Sequence, residues 1–186
     1  MRTFIAIHPS QEVKDVIGEL IARLKRGGDN IKWVDPKDIH TTLKFLGEVQ
    51  EQDVSRLIDI VSDALKGRKA FHNEFVGVGT FPEKGTPRVI WIGTAKGALE
   101  QKEMASAIEE TLSEAGYEKE EKTFVPHLTI GRIKGKTDSA GLKAALENLK
   151  EKKIGVSEIT SVEIMKSKLK RSGATYEVVK SFSLIK

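Results

Sequence analysis

No cysteine occurs among the 186 residues, which removes disulfides, thiolate catalysis and cysteine-ligated zinc together. Long apolar runs are also missing, and nothing approaches the roughly 18 residues that a membrane-spanning helix needs. The opening Met1-Arg2-Thr3-Phe4-Ile5-Ala6-Ile7-His8-Pro9 is too brief an apolar stretch for a secretion signal and leads straight into a helix pattern. No glycine-rich nucleotide loop is present, since Gly77-Val78-Gly79 lacks the Gly-Lys-Ser/Thr ending of a Walker-type motif. These absences lead us to expect a cytoplasmic protein with no membrane partner.

What remains is the composition of a soluble globular chain, 39% hydrophobic and 31% charged. The length suits one domain or a two-lobed unit with a sizeable core. A net charge of +4 suits an anionic partner such as nucleic acid. An ordinary solvated surface accounts for it as well.

Periodicity divides the chain into alternating elements. Phe4–Ile7 reads as a first strand. Val13, Val16, Ile17, Leu20, Ile21 and Leu24 follow at helical spacing, with Ser10 as N-cap and Gly27-Gly28 as terminator. Ile31–Val34 is a short extended piece, and His40–Leu46 alternates as a strand. Val54, Leu57, Ile58, Val61 and Leu65 mark a second helix. Phe71–Val78 and Arg88–Gly93 read as strands, joined by the turn-rich Pro82–Pro87. A third helix is expected over Ala98–Ala115. Leu128–Ile133 is the next strand, entered through Pro126, and Leu142, Leu146 and Leu149 mark a fourth helix. Ile154–Met165 and Thr175–Leu184 are the last two expected strands. This mixture predicts an α+β fold.

Within that order one short pattern occurs twice. His40-Thr41-Thr42-Leu43 and His127-Leu128-Thr129-Ile130 are both His-x-Thr-hydrophobic, 87 positions apart from 40 to 127. Each lies at a strand with a helix before it and a helix after it. A duplicated unit with a pseudo-twofold axis explains this, so we expect residues 1–186 to form one bilobed domain around a shared cleft. Residues i and i+2 of a strand share a face, so each copy aims an imidazole and a hydroxyl the same way. Two such pairs facing each other supply a general acid, a general base and two hydroxyl donors around one small anion. In-line displacement at phosphorus needs this set: a base on the entering oxygen, an acid on the departing one, and donors for the non-bridging oxygens. Zinc normally takes three or four protein ligands, and neither motif adds an i+4 histidine or an adjacent carboxylate, so we expect no metal and no cofactor.

Beyond the motifs, the chain resembles the two-histidine (2H) phosphoesterases, and most of all the LigT-type RNA 2′,3′-cyclic phosphodiesterases, long called 2′-5′ RNA ligases. The resemblance runs through Phe4–Ile7, Asp38–Gly47, Pro87–Gly93, Phe124–Arg132 and Lys166–Tyr176. It implies a bilobed, pseudo-twofold fold with two antiparallel sheets flanked by helices and a basic central cleft. It implies further that His40 is the proton donor, His127 the proton acceptor, and that Thr42 and Thr129 grip the phosphate. The implied reaction opens an RNA 3′-terminal 2′,3′-cyclic phosphate to a 2′-phosphate, with ATP-independent 2′-5′ ligation as related chemistry. The implied partner is RNA bearing such an end, tRNA fragments among the candidates, with nucleotides able to occupy the cleft and the chain acting as a monomer. Two alternatives stay open: action on another small cyclic or 2′-5′ phosphodiester, and an RNA-end binding protein without turnover.

Several other residues carry two readings each. Arg132 faces away from Thr129 under unbroken alternation, while a bulge at Gly131 would turn it toward the substrate phosphate. Lys168, Lys170 and Arg171 line the cleft or form a solvated loop. Phe45, by parity opposite to Thr42, and Trp91, in an apolar strand, are expected in the core. Phe81 is the better candidate for stacking a base. His8 sits where it can reach the cleft rim, and His72 is expected half-exposed.

Overall fold

Each sheet of this protein is built from both halves of the chain. The computed structural model describes residues 1–25, 30–135, 139–170 and 173–186. The strands are β1 (Arg2–Ile7), β2 (Ile31–Trp33), β3 (Thr41–Glu48), β4 (Phe71–Phe81), β5 (Val89–Thr94), β6 (His127–Ile133), β7 (Lys153–Ile159), β8 (Ser161–Lys170) and β9 (Gly173–Ser183). The helices are α1 (Gln11–Leu24), α2 (Val54–Ala64), α3 (Ala98–Glu114) and α4 (Ser139–Glu147). A four-stranded sheet has the order β3-β1-β8-β9, and a five-stranded sheet the order β2-β6-β5-β4-β7. All the strand pairs within these sheets are antiparallel.

The two sheets correspond strand for strand. β3, β1, β8 and β9 of the first take the places of β6, β5, β4 and β7 of the second. The helices exchange partners across this symmetry. α1 follows β1 but sends Val13, Ile17, Leu20 and Ile21 into the core beneath the second sheet, where Leu146 of α4 joins them. α3 follows β5 but packs Met104, Ile108 and Leu112 beneath the first sheet, beside Leu57 and Val61 of α2. Each fully buried Ile or Leu in these cores contributes about 1.5–3 kcal/mol relative to exposure. Because each layer needs residues from both halves, this arrangement holds the two lobes around one junction. Among the described residues no helix is long and apolar enough to cross a membrane.

The expected elements are present, with two departures. Ile154–Met165, read as one strand, is two: β7 in the second sheet and β8 in the first, separated at Thr160. The buried parity switches at the crossing, from Ser157 and Ile159 to Val162 and Ile164, and neither Gly nor Pro marks it. The basic stretch after Met165 is not a loop, because β8 runs on to Lys170 and pairs with β9. Gly27 and Gly28, the expected terminators of α1, lie outside the described residues.

A buried ion pair ties β3 to the helix behind it. Lys44 is 6% exposed and its ammonium donates to Glu109 of α3 at 3.0 Å and to the Glu118 carbonyl at 2.8 Å. Glu109 also accepts from the Glu120 amide at 3.0 Å, so the pair anchors the segment that leads into the second motif. Removing the carboxylate leaves a buried ammonium with one carbonyl partner. Glu109→Ala is expected to lower stability by roughly 3 kcal/mol, the low end for a broken buried pair. A denaturation midpoint close to that of the parent protein would contradict this.

Candidate active site

The two motif histidines are held in the same way. His40 lies just before β3, and its Nδ1 is 2.7 Å from the Asp38 carbonyl. His127 opens β6, and its Nδ1 is 2.7 Å from the Val125 carbonyl. A carbonyl only accepts, so each Nδ1 carries the hydrogen and donates it two residues back. That leaves Nε2 as the reactive nitrogen of each ring, a base when neutral and an acid when protonated. The short connection before each strand brings the carbonyl round: a 3-10 turn at Pro36–Asp38 for the first, and the Val125-Pro126 segment for the second.

A matching irregularity closes each motif. The β1–β3 register passes from Ala6↔Thr42 to Ile5↔Lys44, leaving Leu43 as an extra residue. The β5–β6 register passes from Trp91↔Thr129 to Ile90↔Gly131, leaving Ile130 extra. Each bulge places two successive residues on the helix side, Leu43 with Lys44 and Ile130 with Gly131, all four buried. The next residue therefore emerges on the motif side. In the first lobe this is Phe45, 56% exposed. In the second it is the exposed Arg132. Arg132 is thus turned toward the histidines, by a bulge one residue earlier than Gly131. The core placement expected of Phe45 is corrected for the same reason: parity counted from Thr42 fails across the bulge.

The histidines sit in different surroundings. His40 stacks on Phe4 with ring centroids 4.9 Å apart and meets the Tyr176 ring edge-on at 5.4 Å. Ala6 lies between Phe4 and His8 on the same face of β1, and its small side chain leaves room for these rings. Burial is the main cause that pushes the His40 imidazole down to about 4, the Asp38 hydrogen bond opposing it and His8, Lys14 and Arg132 adding to it. His127 meets Phe81 edge-on at 5.2 Å. Phe81 in turn lies 5.1 Å from Trp91. The Trp91 indole crosses the backbone of Gly79, where any Cβ would collide with it. Trp91 thus supports Phe81 on the cleft side instead of filling the core, and Phe81 buttresses His127. Burial lowers the His127 pKa as well, with Arg132 adding to the effect and the Val125 hydrogen bond opposing it.

Thr42 and His127, one from each motif, line a single cavity of about 810 Å³ together with Phe45, Phe124 and Val125. Arg132 lies within electrostatic reach of both histidines. Thr42 and Thr129 are half-buried on their strands. The arrangement joins two ring nitrogens able to transfer protons, two hydroxyls and one guanidinium, which suits a small oxyanion with an organic substituent. Among the described residues no three His, Cys, Asp or Glu side chains converge in a geometry that holds a metal ion.

His8 is closer to the chemistry than its sequence position indicates. Its ring lies 5.8 Å from that of His40, and its Nε2 is 3.3 Å from Glu163 Oε2, without hydrogen-bond alignment. Burial, with Lys14 nearby, holds it down to about 4, so it is neutral near pH 7. His72 is exposed on β4. Lys168 does not reach the cleft but pairs with Glu177 of β9 at 3.0 Å, beside Lys166 at 2.7 Å. Arg171 and the side chain of Lys170 lie outside the described residues. Sequence reasoning missed Tyr176 and Phe4 as neighbours of His40, since only strand order brings β9 and β1 to the first motif.

Comparison with known proteins adds a family. A family model described as LigT like Phosphoesterase matches the chain twice, over residues 7–91 and 92–176, so that each match contains one motif. A Methanocaldococcus jannaschii protein named RNA 2′,3′-cyclic phosphodiesterase is 35% identical, over 98% of this chain and 100% of its own length. A Thermotoga maritima protein of the same name is 36% identical, over 96% and 93%. Among solved structures, TT0787 of Thermus thermophilus matches with a TM-score of 0.85 at 26% identity, covering 99% of this chain and 98% of that one. Escherichia coli LigT complexed with 3′-AMP matches with a TM-score of 0.78 at 20% identity, covering 100% and 98%, a likeness of fold.

Proposed function

Because this chain belongs to the LigT-like phosphoesterase family, we propose that it is a metal-independent RNA 2′,3′-cyclic phosphodiesterase that works by paired-histidine acid–base catalysis. The observation that carries this reading is the matched pair of Nδ1-to-carbonyl hydrogen bonds, which leaves both Nε2 atoms for proton transfer. His127 accepts a proton from water as the water attacks phosphorus. His40 gives its proton to the departing 3′ oxygen, and the product keeps a 2′-phosphate. Thr42 and Thr129 donate to the non-bridging oxygens, and Arg132 holds the negative charge that grows there. A 5′-hydroxyl in place of water turns the same steps into 2′-5′ ligation, driven by the strained cyclic ester. The cavity at Thr42 and His127 has room for a nucleophile larger than water. RNA with a cyclic phosphate end is the substrate, and the chain works as a cytoplasmic monomer.

Two expected results test this reading. Hydrolysis of an RNA oligomer ending in a 2′,3′-cyclic phosphate persists in excess chelator, because the histidines move the protons and Arg132 balances the charge. Loss of activity restored by one added divalent metal would refute the metal-independent scheme. Phe45, beside the cavity and exposed, offers its ring to the terminal base. Phe45→Ala is expected to raise KM about 5- to 100-fold, the range for one lost base–aromatic stack, with a smaller effect on kcat. An unchanged KM would remove Phe45 from the binding surface.

A further inference from the structure

β1 carries a second polar and aromatic row beyond His40. Side chains alternate along the strand, with Ile5 and Ile7 in the core beneath the first sheet and Phe4 and Ala6 in the cluster on its other face. Arg2 shares the face of Phe4 and Ala6 by the same alternation. It is exposed and forms no ion pair among the described residues. Glu48, its register partner on β3, pairs instead with the Met1 amino group at 3.2 Å. On its other side Arg2 is in register with Ser167 of β8, and Ser167 with Tyr176 of β9. Arg2, Ser167 and Tyr176 therefore form one row across three strands. Tyr176 is half-buried and touches both Phe4 and His40, so the row begins where the catalytic site ends. Val178, next on the Tyr176 face and 54% exposed, extends the apolar floor.

Charge decides which way a strand of RNA leaves the site. The proposed chemistry places the ribose of the terminal nucleotide against His40, and the chain continues from its 5′ carbon. Beyond the end of β1, Glu163 meets His8, and Lys14, within electrostatic reach of Glu163 and Asp38, donates to the Lys37 carbonyl at 2.9 Å. Along the row, Tyr176 lies within electrostatic reach of Arg2 and Arg132 as well as of Asp38, and Glu177 is turned to the opposite face toward Lys166 and Lys168. The exposed Arg2 guanidinium, without a carboxylate partner among the described residues, gives a phosphodiester chain a cation along this row.

We propose that the Arg2–Ser167–Tyr176 row is a subsite for the upstream nucleotide of an RNA strand, with Arg2 on the connecting phosphate and Tyr176 beneath the upstream base. This rests on the reading of the site as an RNA cyclic phosphodiesterase and adds that the enzyme prefers an oligonucleotide end to a mononucleotide. Ser167 offers a hydroxyl to the ribose between them.

The test compares kcat/KM for a nucleoside 2′,3′-cyclic phosphate with that for a dinucleotide ending in the same nucleoside cyclic phosphate. The parent protein is expected to favour the dinucleotide by about tenfold or more, the scale of one stacked base. Arg2→Gln and Tyr176→Ala should each bring that ratio toward one, and Tyr176→Phe should retain it. The ratio separates the subsite from any general effect on His40, which lowers both substrates together. A parent ratio near one, or a ratio unmoved in Arg2→Gln and Tyr176→Ala, overturns the subsite while leaving the cyclic phosphodiesterase intact. Failure to cleave either substrate overturns the reading of the catalytic pair, and the subsite with it.

Discussion

Alanine at His40 or at His127 is expected to lower turnover of a cyclic-phosphate RNA end by about 10²- to 10⁴-fold, the range for loss of a positioned general acid or base. The two variants should fail differently. His127→Ala removes the base, and a small amine or imidazole supplied in solution can enter from the open cavity at Thr42 and His127. His40→Ala removes a ring packed between Phe4 and Tyr176, and the void that remains is closed by aromatic neighbours. Partial rescue by imidazole is therefore expected for His127→Ala and not for His40→Ala. The double variant should lose little more than the worse single one, because both residues serve one transition state. Near-parent rates in both single variants would dismiss the acid–base pair.

Activity is expected to fall as pH rises, steeply on the alkaline side. The proposed mechanism needs a protonated His40 and a neutral His127. Burial holds His40 down to about 4 and lowers His127 below its usual 6.5, so the empty protein binds its first proton below pH 6.5. Above that point each pH unit removes about nine-tenths of the singly protonated protein. On kcat/KM, which reports the free enzyme, the expected loss is about 100-fold between pH 6.5 and 8.5. Below the pKa near 4 both rings are charged, the base is lost, and the rate falls again. The two steps belong to the coupled pair and not to one ring each. Bound phosphate favours the imidazolium of His40, so the kcat profile should extend to higher pH than the kcat/KM profile. A kcat/KM that stays level from pH 6 to 8.5 would contradict this account of burial.

The parts of the site that recur in the chain were the legible ones. Two copies of His-x-Thr at strands, each flanked by helices, pointed to a duplicated α+β fold and to His40, Thr42, His127 and Thr129 before any coordinates. Phe45 and Arg132 were not legible to the same degree, because side-chain parity depends on the backbone and each motif closes on a bulge. The bulge residues, Leu43 and Ile130, are ordinary strand formers, so nothing in composition marks them. Arg132 was open in the sequence only because Gly131 suggested a break. The division of Ile154–Met165 between two sheets leaves a weaker mark: the apolar parity slips by one between Ile159 and Val162, while Thr160 leaves the β-propensity unbroken. Tyr176 belongs to a third category. It is remote from His40 in sequence, and only the strand order β3-β1-β8-β9 brings it there.

The bulges also give a duplicated fold an asymmetric site, as the proposed reaction requires. At the same place after each motif, one lobe presents an aromatic ring and the other a guanidinium. The base and the phosphate of one nucleotide differ in the same way. His40 lies deep among aromatic rings, and His127 borders the cavity, which matches a donor to the ribose side and an acceptor facing incoming water.

The most direct test of this account is the position of the phosphate left on an RNA oligomer after its 2′,3′-cyclic end is opened. The account predicts a 2′-phosphate, since His40 protonates the departing 3′ oxygen. A 3′-phosphate would contradict the assignment of donor and acceptor, and an unopened ring would contradict the proposed activity itself.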